Sequence, residues 1–98
     1  MIIVFCESKI DPEKQAEFLE KVNASGVIAA TEQEEGNISY ELAASAGKAG
    51  TLYIIERWEN MAVLQTHMKG ANFAAFGKLG KDYGIQTEIK LYQAEPLN

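Results

Sequence analysis

Residues 51–76 read TLYIIERWENMAVLQTHMKGANFAAF, and their hydrophobic period changes once along the way. Thr51 to Trp58 is rich in β-branched and aromatic residues and predicts a strand. Asn60 then offers a helix N-cap, behind which Met61, Leu64 and Met68 recur at helical spacing. His67, the chain's only histidine, falls between Leu64 and Met68 on that apolar side, so its ring is expected to face inward. Lys69-Gly70 interrupts the helix. A short second helical run, Ala71 to Phe76, places Phe73 and Phe76 three residues apart on one face. The stretch therefore turns a tryptophan, a histidine and two phenylalanines toward one another. That is an aromatic pocket wall holding the side-chain type best suited to proton transfer near neutral pH.

Working outward, Ile2 to Ile10 predicts a strand that is apolar on both faces at first. Asp11 can cap a helix and Pro12 suits its first position. Phe18, Leu19 and Val22 give that helix its buried side. Gly26 predicts a kink, after which Val27 to Glu35 resumes a helix that Gly36 ends. The acidic cluster Glu32–Glu35 reads as a solvated face and not as a metal site. A glycine-bearing turn, Ala46 to Gly50, joins a strand over Asn37–Ala44 to Thr51–Trp58 as a hairpin. Gly77, Gly80 and Gly84 are expected to loosen the chain before a last alternating strand, Ile85 to Ala94.

The order is β-α-β-β-α-β with the second α broken in two. It predicts one α+β domain over residues 1–98 with the ferredoxin-like plan, an antiparallel sheet carrying helices on one face. Ile2 to Phe5 and Leu52 to Ile55 are apolar on both faces, yet the helices can cover only one. The uncovered face would be a larger apolar patch than a monomer usually shows, so a homodimer through the open sheet face is expected.

Composition narrows the function. The 98 residues carry 47% hydrophobic and 23% charged side chains and a net charge of −5. Lysines and arginines form no basic stripe, which argues against nucleic acid and against an anionic membrane surface. A single cysteine, Cys6, excludes an internal disulfide framework and fits a reducing compartment. The N-terminal apolar run lacks a basic flank, and no apolar stretch approaches the roughly 20 residues of a membrane helix. A cytoplasmic location is the expectation.

Glu56-Arg57-Trp58-Glu59, then a histidine separated from the tryptophan by eight residues, then Phe73 and Phe76, resembles the antibiotic biosynthesis monooxygenase domain family. Upstream, Glu35-Gly36-Asn37-Ile38-Ser39-Tyr40-Glu41-Leu42 is similar to the E-x-G-x-x-x-Y-x-L opening of the family's second strand. With the first strand and helix and the closing strand, the likeness covers nearly the whole chain. It implies a dimeric α/β barrel with one pocket per subunit between sheet and helices. It also implies, from the quinol- and phenol-oxidising members, a monooxygenase that uses dioxygen on a small aromatic or quinol substrate with neither metal nor flavin. His67 would then be the general base. Many relatives read H-L-x-T-P-H-F where this chain has His67-Met68-Lys69-Gly70-Ala71-Asn72-Phe73, so Asn72 stands in place of a second histidine. That departure weakens the likeness to relatives that isomerise a phosphorylated sugar. Gly77 stands where haem-degrading relatives carry an iron-ligating histidine.

Each candidate also has a plainer reading. His67 could be a hydrogen-bonded, half-buried histidine. Trp58 could stack on a planar substrate or anchor the core or a dimer interface. Tyr40 could donate a hydrogen bond to a substrate oxygen or serve as a sheet aromatic. Phe73 and Phe76 are core residues that double as pocket lining. Asn72 and Asn37 could orient a polar group, although an asparagine after glycine is common turn chemistry. Glu56 could be buried beside Trp58, which would raise its pKa, or pair with Arg57 or a lysine. Cys6 reads as a small buried hydrophobe. No cofactor is expected, since the glycines do not form a phosphate-binding fingerprint and one cysteine with one histidine is too few for a soft metal. The rival functions are an isomerase of a small oxygenated metabolite and a non-catalytic dimeric binding module.

Overall fold

The computed structural model describes Met1–Asn98. Its elements are β1 (Ile2–Lys9), a 3-10 turn (Pro12–Lys14), α1 (Gln15–Ser25), α2 (Val27–Glu32), β2 (Asn37–Ala44), β3 (Thr51–Trp58), α3 (Met61–Met68), α4 (Ala71–Asp82) and β4 (Gln86–Gln93). The four strands form one antiparallel sheet in the order β2-β3-β1-β4. This is the ferredoxin-like α+β arrangement read from the sequence.

Alternation along the two central strands sets what lies under the helices. Ile2, Val4, Cys6 and Ser8 of β1 are buried, as are Leu52, Ile54, Glu56 and Trp58 of β3. The intervening Ile3, Phe5, Tyr53 and Ile55 face the other way and keep partial exposure. Two core clusters fill the space between sheet and helices, one around Trp58, Tyr40 and Leu64 and the other around Phe18, Val22 and Leu52. Phe18 is only 1% exposed, and truncating such a side chain to alanine costs about 3–5 kcal/mol.

Local signals set the boundaries. Asp11 accepts a hydrogen bond from the Glu13 amide at 3.0 Å, and Asn60 accepts one from the Val63 amide at 3.0 Å. Gly26, at φ 71°, turns the chain between α1 and α2. The helix expected to run to Glu35 stops at Glu32, capped at Gln33, so Gly36 closes the turn before β2 and not a helix. Gly36 has φ +79°, and a Cβ there would lie 2.6–2.7 Å from the side-chain carbons of Val63. Only glycine lets the loop between α2 and β2 press against α3 this closely.

A second expectation is corrected. The second part of the broken helix does not stop near Phe76, because α4 continues through Gly77 and Gly80 to Asp82. Each glycine costs a helix about 1 kcal/mol relative to alanine. Packing of Phe76, Leu79 and Tyr83 against the Phe18 cluster outweighs that cost. No helix is long and apolar enough to cross a membrane.

Candidate active site

A cavity of about 230 Å³ lies between the sheet and α3 and α4. Its floor is Val4 and Cys6 of β1, Ile54 and Glu56 of β3, and Tyr40 of β2. Leu64, His67 and Met68 of α3 form one wall, and Phe73, Phe76 and Gly77 of α4 another. The side toward β4 is open: Phe73, Ile89 and Leu91 are 46, 56 and 46% exposed there.

His67 is 4% exposed and held from several directions. Its ring lies over Trp58 with centroids 4.7 Å apart and planes tilted by 33°. Phe73 and Tyr40 approach it edge-on at 5.6 and 6.2 Å. Nδ1 sits 2.9 and 3.0 Å from the two carboxylate oxygens of Glu34. In the neutral ring Nδ1 therefore carries the hydrogen and donates it to the carboxylate, which leaves the lone pair on Nε2. No fully enclosed side-chain nitrogen or oxygen lacks a partner. Nε2, which has none, consequently opens on the cavity.

Glu34 is the residue that sequence reasoning missed. The sequence groups it with a solvated acidic face, yet its side chain is only 24% exposed. Asn72 Nδ2 donates to its Oε2 at 2.9 Å. The carboxylate is thus fixed by α4 on one side while it fixes the α3 imidazole on the other. Asn72 acts on His67 through Glu34 and does not line the cavity.

Glu56 is 7% exposed and forms no ion pair with Arg57 or a lysine. Instead its Oε1 accepts from the Trp58 indole at 2.9 Å. Burial pushes the Glu56 carboxyl above its ordinary value and Glu34 adds to that, whereas the indole hydrogen bond and His67 pull it back. Tyr40, directly across the strand pair from Glu56, is 5% exposed. Its hydroxyl has no hydrogen-bond partner and so also reaches the cavity. Burial and then Glu56 hold that phenol well above its usual range, so it serves as a donor. Cys6 behaves as the expected small hydrophobe: burial, with Glu56 adding, pushes its thiol up to about 11. No three His, Cys, Asp or Glu side chains converge as metal ligands would.

Tyr40, Phe73, Phe76 and His67 are thus brought together. Two other expectations are corrected. Trp58 is 0% exposed and packs against His67 in the core, outside the lining of the cavity. Asn37 lies outside the cavity, its amide donating to the Ser39 and Arg57 carbonyls at 3.2 and 3.5 Å across an irregularity in the β2–β3 register.

A ferredoxin-like sheet with an apolar cleft and a carboxylate-held histidine under its helices defines the class of protein. Comparison with known proteins then fixes the family. The profile described as "Antibiotic biosynthesis monooxygenase" matches residues 1–79, and the chain belongs to that family. It is 33% identical over 82 residues to "Putative monooxygenase YcnE" of Bacillus subtilis (strain 168), covering 84% of each chain. Among solved structures, one described as a putative antibiotic biosynthesis monooxygenase from Caulobacter crescentus superimposes with TM-score 0.81 at 28% identity, covering 97% of this chain and 90% of that one. Another so described, from Deinococcus radiodurans, shares the fold with TM-score 0.87 at 24% identity, covering 100% and 97%.

Proposed function

We propose that the chain is a cytoplasmic, homodimeric, cofactor-independent monooxygenase of a small aromatic or quinol substrate, with His67 as general base. The observation that carries this reading is the Glu34–His67 pair at 2.9 Å with Nε2 open on an apolar cavity. A planar phenol or quinol lies between the Tyr40–Glu56 floor and the Phe73–Phe76 wall. Tyr40 donates to one substrate oxygen while His67 Nε2 takes the proton from another. The positive charge that develops on the ring faces the Glu34 carboxylate, so proton transfer is favoured without water.

The phenolate is electron-rich enough to pass one electron to dioxygen. The radical pair combines to a hydroperoxide, whose loss of water leaves a carbonyl on the ring. One oxygen atom ends in product and the other in water, and the substrate supplies all four electrons. The protein need only bind, deprotonate and keep water away, which an apolar cleft closed by its own substrate does.

The test is oxygen uptake by metal-stripped protein over a panel of reduced quinones and polyphenols, beside His67→Ala. Uptake above autoxidation that falls about 10²–10⁴-fold in the variant is expected. Uptake equal to autoxidation for every substrate would remove the reading.

A further inference from the structure

A second cavity, of about 260 Å³, lies next to the first under α4. The two share Ile54, Phe76, Gly77 and Thr87 as walls, so they adjoin one another under α4 at Gly77. Either compartment alone falls short of the roughly 300–1,000 Å³ of a small-molecule site, and the two together fall within it.

The second compartment is apolar at its base. Phe18 and Leu52, each 1% exposed, and Ile85 line it. Its two hydroxyls satisfy each other, Ser8 Oγ and Thr87 Oγ1 lying 2.8 Å apart. Lys81, exposed, stands at its edge. Inside that lysine at the rim, nothing in the lining asks for a charged or strongly hydrogen-bonding guest.

The α4 face that bounds the cleft carries no side chain at two positions. A Cβ at Gly77 would meet nothing within 4 Å, and one at Gly80 would meet only Ile85 Cβ at 3.9 Å. Neither glycine has positive φ, so neither is required by the backbone. Both weaken the helix, and the space they leave is the cleft itself.

Resting on the aromatic-substrate reading above, we infer that the two cavities join past Gly77, where a Cβ would meet open space, and that the site takes a ring bearing an apolar tail. The ring lies against His67 and Tyr40, and the tail passes Gly77 into the compartment lined by Phe18, Leu52, Ile85 and Gly80.

The experiment is calorimetric binding, under nitrogen, of hydroquinones carrying methyl, propyl, pentyl and heptyl substituents. Each buried methylene contributes up to about fourfold in affinity. A gain of at least about tenfold from methyl to pentyl is therefore expected for the natural protein. In Gly80→Leu, whose side chain occupies the tail compartment, that gain should fall to about threefold or less; Gly80→Ala should retain an intermediate gain. Thermal melts check that both variants fold. Affinity indifferent to tail length in the natural protein, or a gain unchanged in Gly80→Leu, would overturn the tail compartment and leave the chemistry at His67 standing. A length-dependent gain lost in Gly80→Leu, without oxygen uptake in air, would uphold the compartment and remove the monooxygenase reading.

Discussion

Glu34 and His67, 33 residues apart in sequence, meet through both carboxylate oxygens at 2.9 and 3.0 Å from Nδ1. The carboxylate accepts from two donors at once, since Asn72 also donates to it. A glutamine at position 34 has one acceptor oxygen for those two donors, and its amide can instead donate to Nδ1. The hydrogen would then move to Nε2 and leave no base in the cavity. Hydrogen bonds to charged groups contribute about 1.5–3 kcal/mol, so Glu34→Gln should lower kcat by about tenfold to a hundredfold. Asn72→Ala should act in the same direction and more weakly. A change in the pH profile of kcat in Glu34→Gln, with little change in melting temperature, would mark a positioning role. An unaltered profile would assign Glu34 to structure alone.

Glu56 gives a prediction about stability. Its folded pKa is raised above 4.5, chiefly by burial. Below that value folded and unfolded chains both hold the proton. As pH rises past it the unfolded chain releases its proton first, so the folded state binds more protons and stability falls with rising pH until the folded carboxyl also ionises. Glu56→Gln keeps an acceptor for the Trp58 indole and removes this titration. The variant should be more stable than the natural protein at neutral pH by on the order of 1 kcal/mol, with Tm higher by roughly 4–8 °C. Its Tm should also show less decline with pH above 4.5. Identical pH dependence in the two proteins would show that Glu56 is not the buried acid described.

Gly36 predicts a steric result. Alanine there must adopt φ +79° and place Cβ against Val63 at 2.6–2.7 Å. The left-handed conformation alone costs about 1–2 kcal/mol, and the collision adds more. Gly36→Ala should therefore lose at least about 2 kcal/mol in denaturant unfolding. Adding Val63→Ala removes both Cγ contacts and leaves the Cβ contact at 2.7 Å, so it should recover part of the collision and none of the backbone cost. Because Gly36 brings the Glu34 loop against the helix that carries His67, the single variant should also lose activity beyond its loss of stability. Full recovery in the double variant would show that backbone strain contributes nothing.

The architecture was legible because alternation and helical period are local. Asn60 announced α3, and the two-faced apolar strands announced the sheet centre. Of the two readings of Trp58 the core one was decidable from position: it shares parity with Leu52 and Ile54, both buried under the helices. Glu34 was not readable in that way. It lies in the turn beyond α2, and nothing in EQEEG separates one glutamate from its neighbours. The partner that distinguishes it is set by how closely Gly36 lets that turn approach α3. The length of α4 was missed for a similar reason, since the glycines' local cost is offset by Phe76 and Leu79 meeting Phe18 across the core.

The open sheet face carries the remaining prediction. Ile3, Phe5, Tyr53 and Ile55 lie on it with partial exposure, and Tyr92 on β4 is 50% exposed beside Ile3. Phe5 pairs across the strands with Ile55 and stacks near Tyr53 at 5.7 Å. Glu7, Lys9, Glu41, Glu88 and Lys90 share this face, so the apolar centre has a charged border, as interfaces do. A second copy laid sheet to sheet would cover that centre. The protein should therefore sediment at about twice 10.8 kDa at micromolar concentration. Phe5→Glu would bury an unpaired charge at the middle of the contact, which costs about 3–5 kcal/mol, or a hundredfold to several thousandfold in dimer affinity. The variant side chain is hydrated in the monomer, so a folded 10.8 kDa species with a native circular dichroism spectrum is expected. A monomeric natural protein would refute the sheet-to-sheet dimer, and a Phe5→Glu variant that remains dimeric would place the contact on another face.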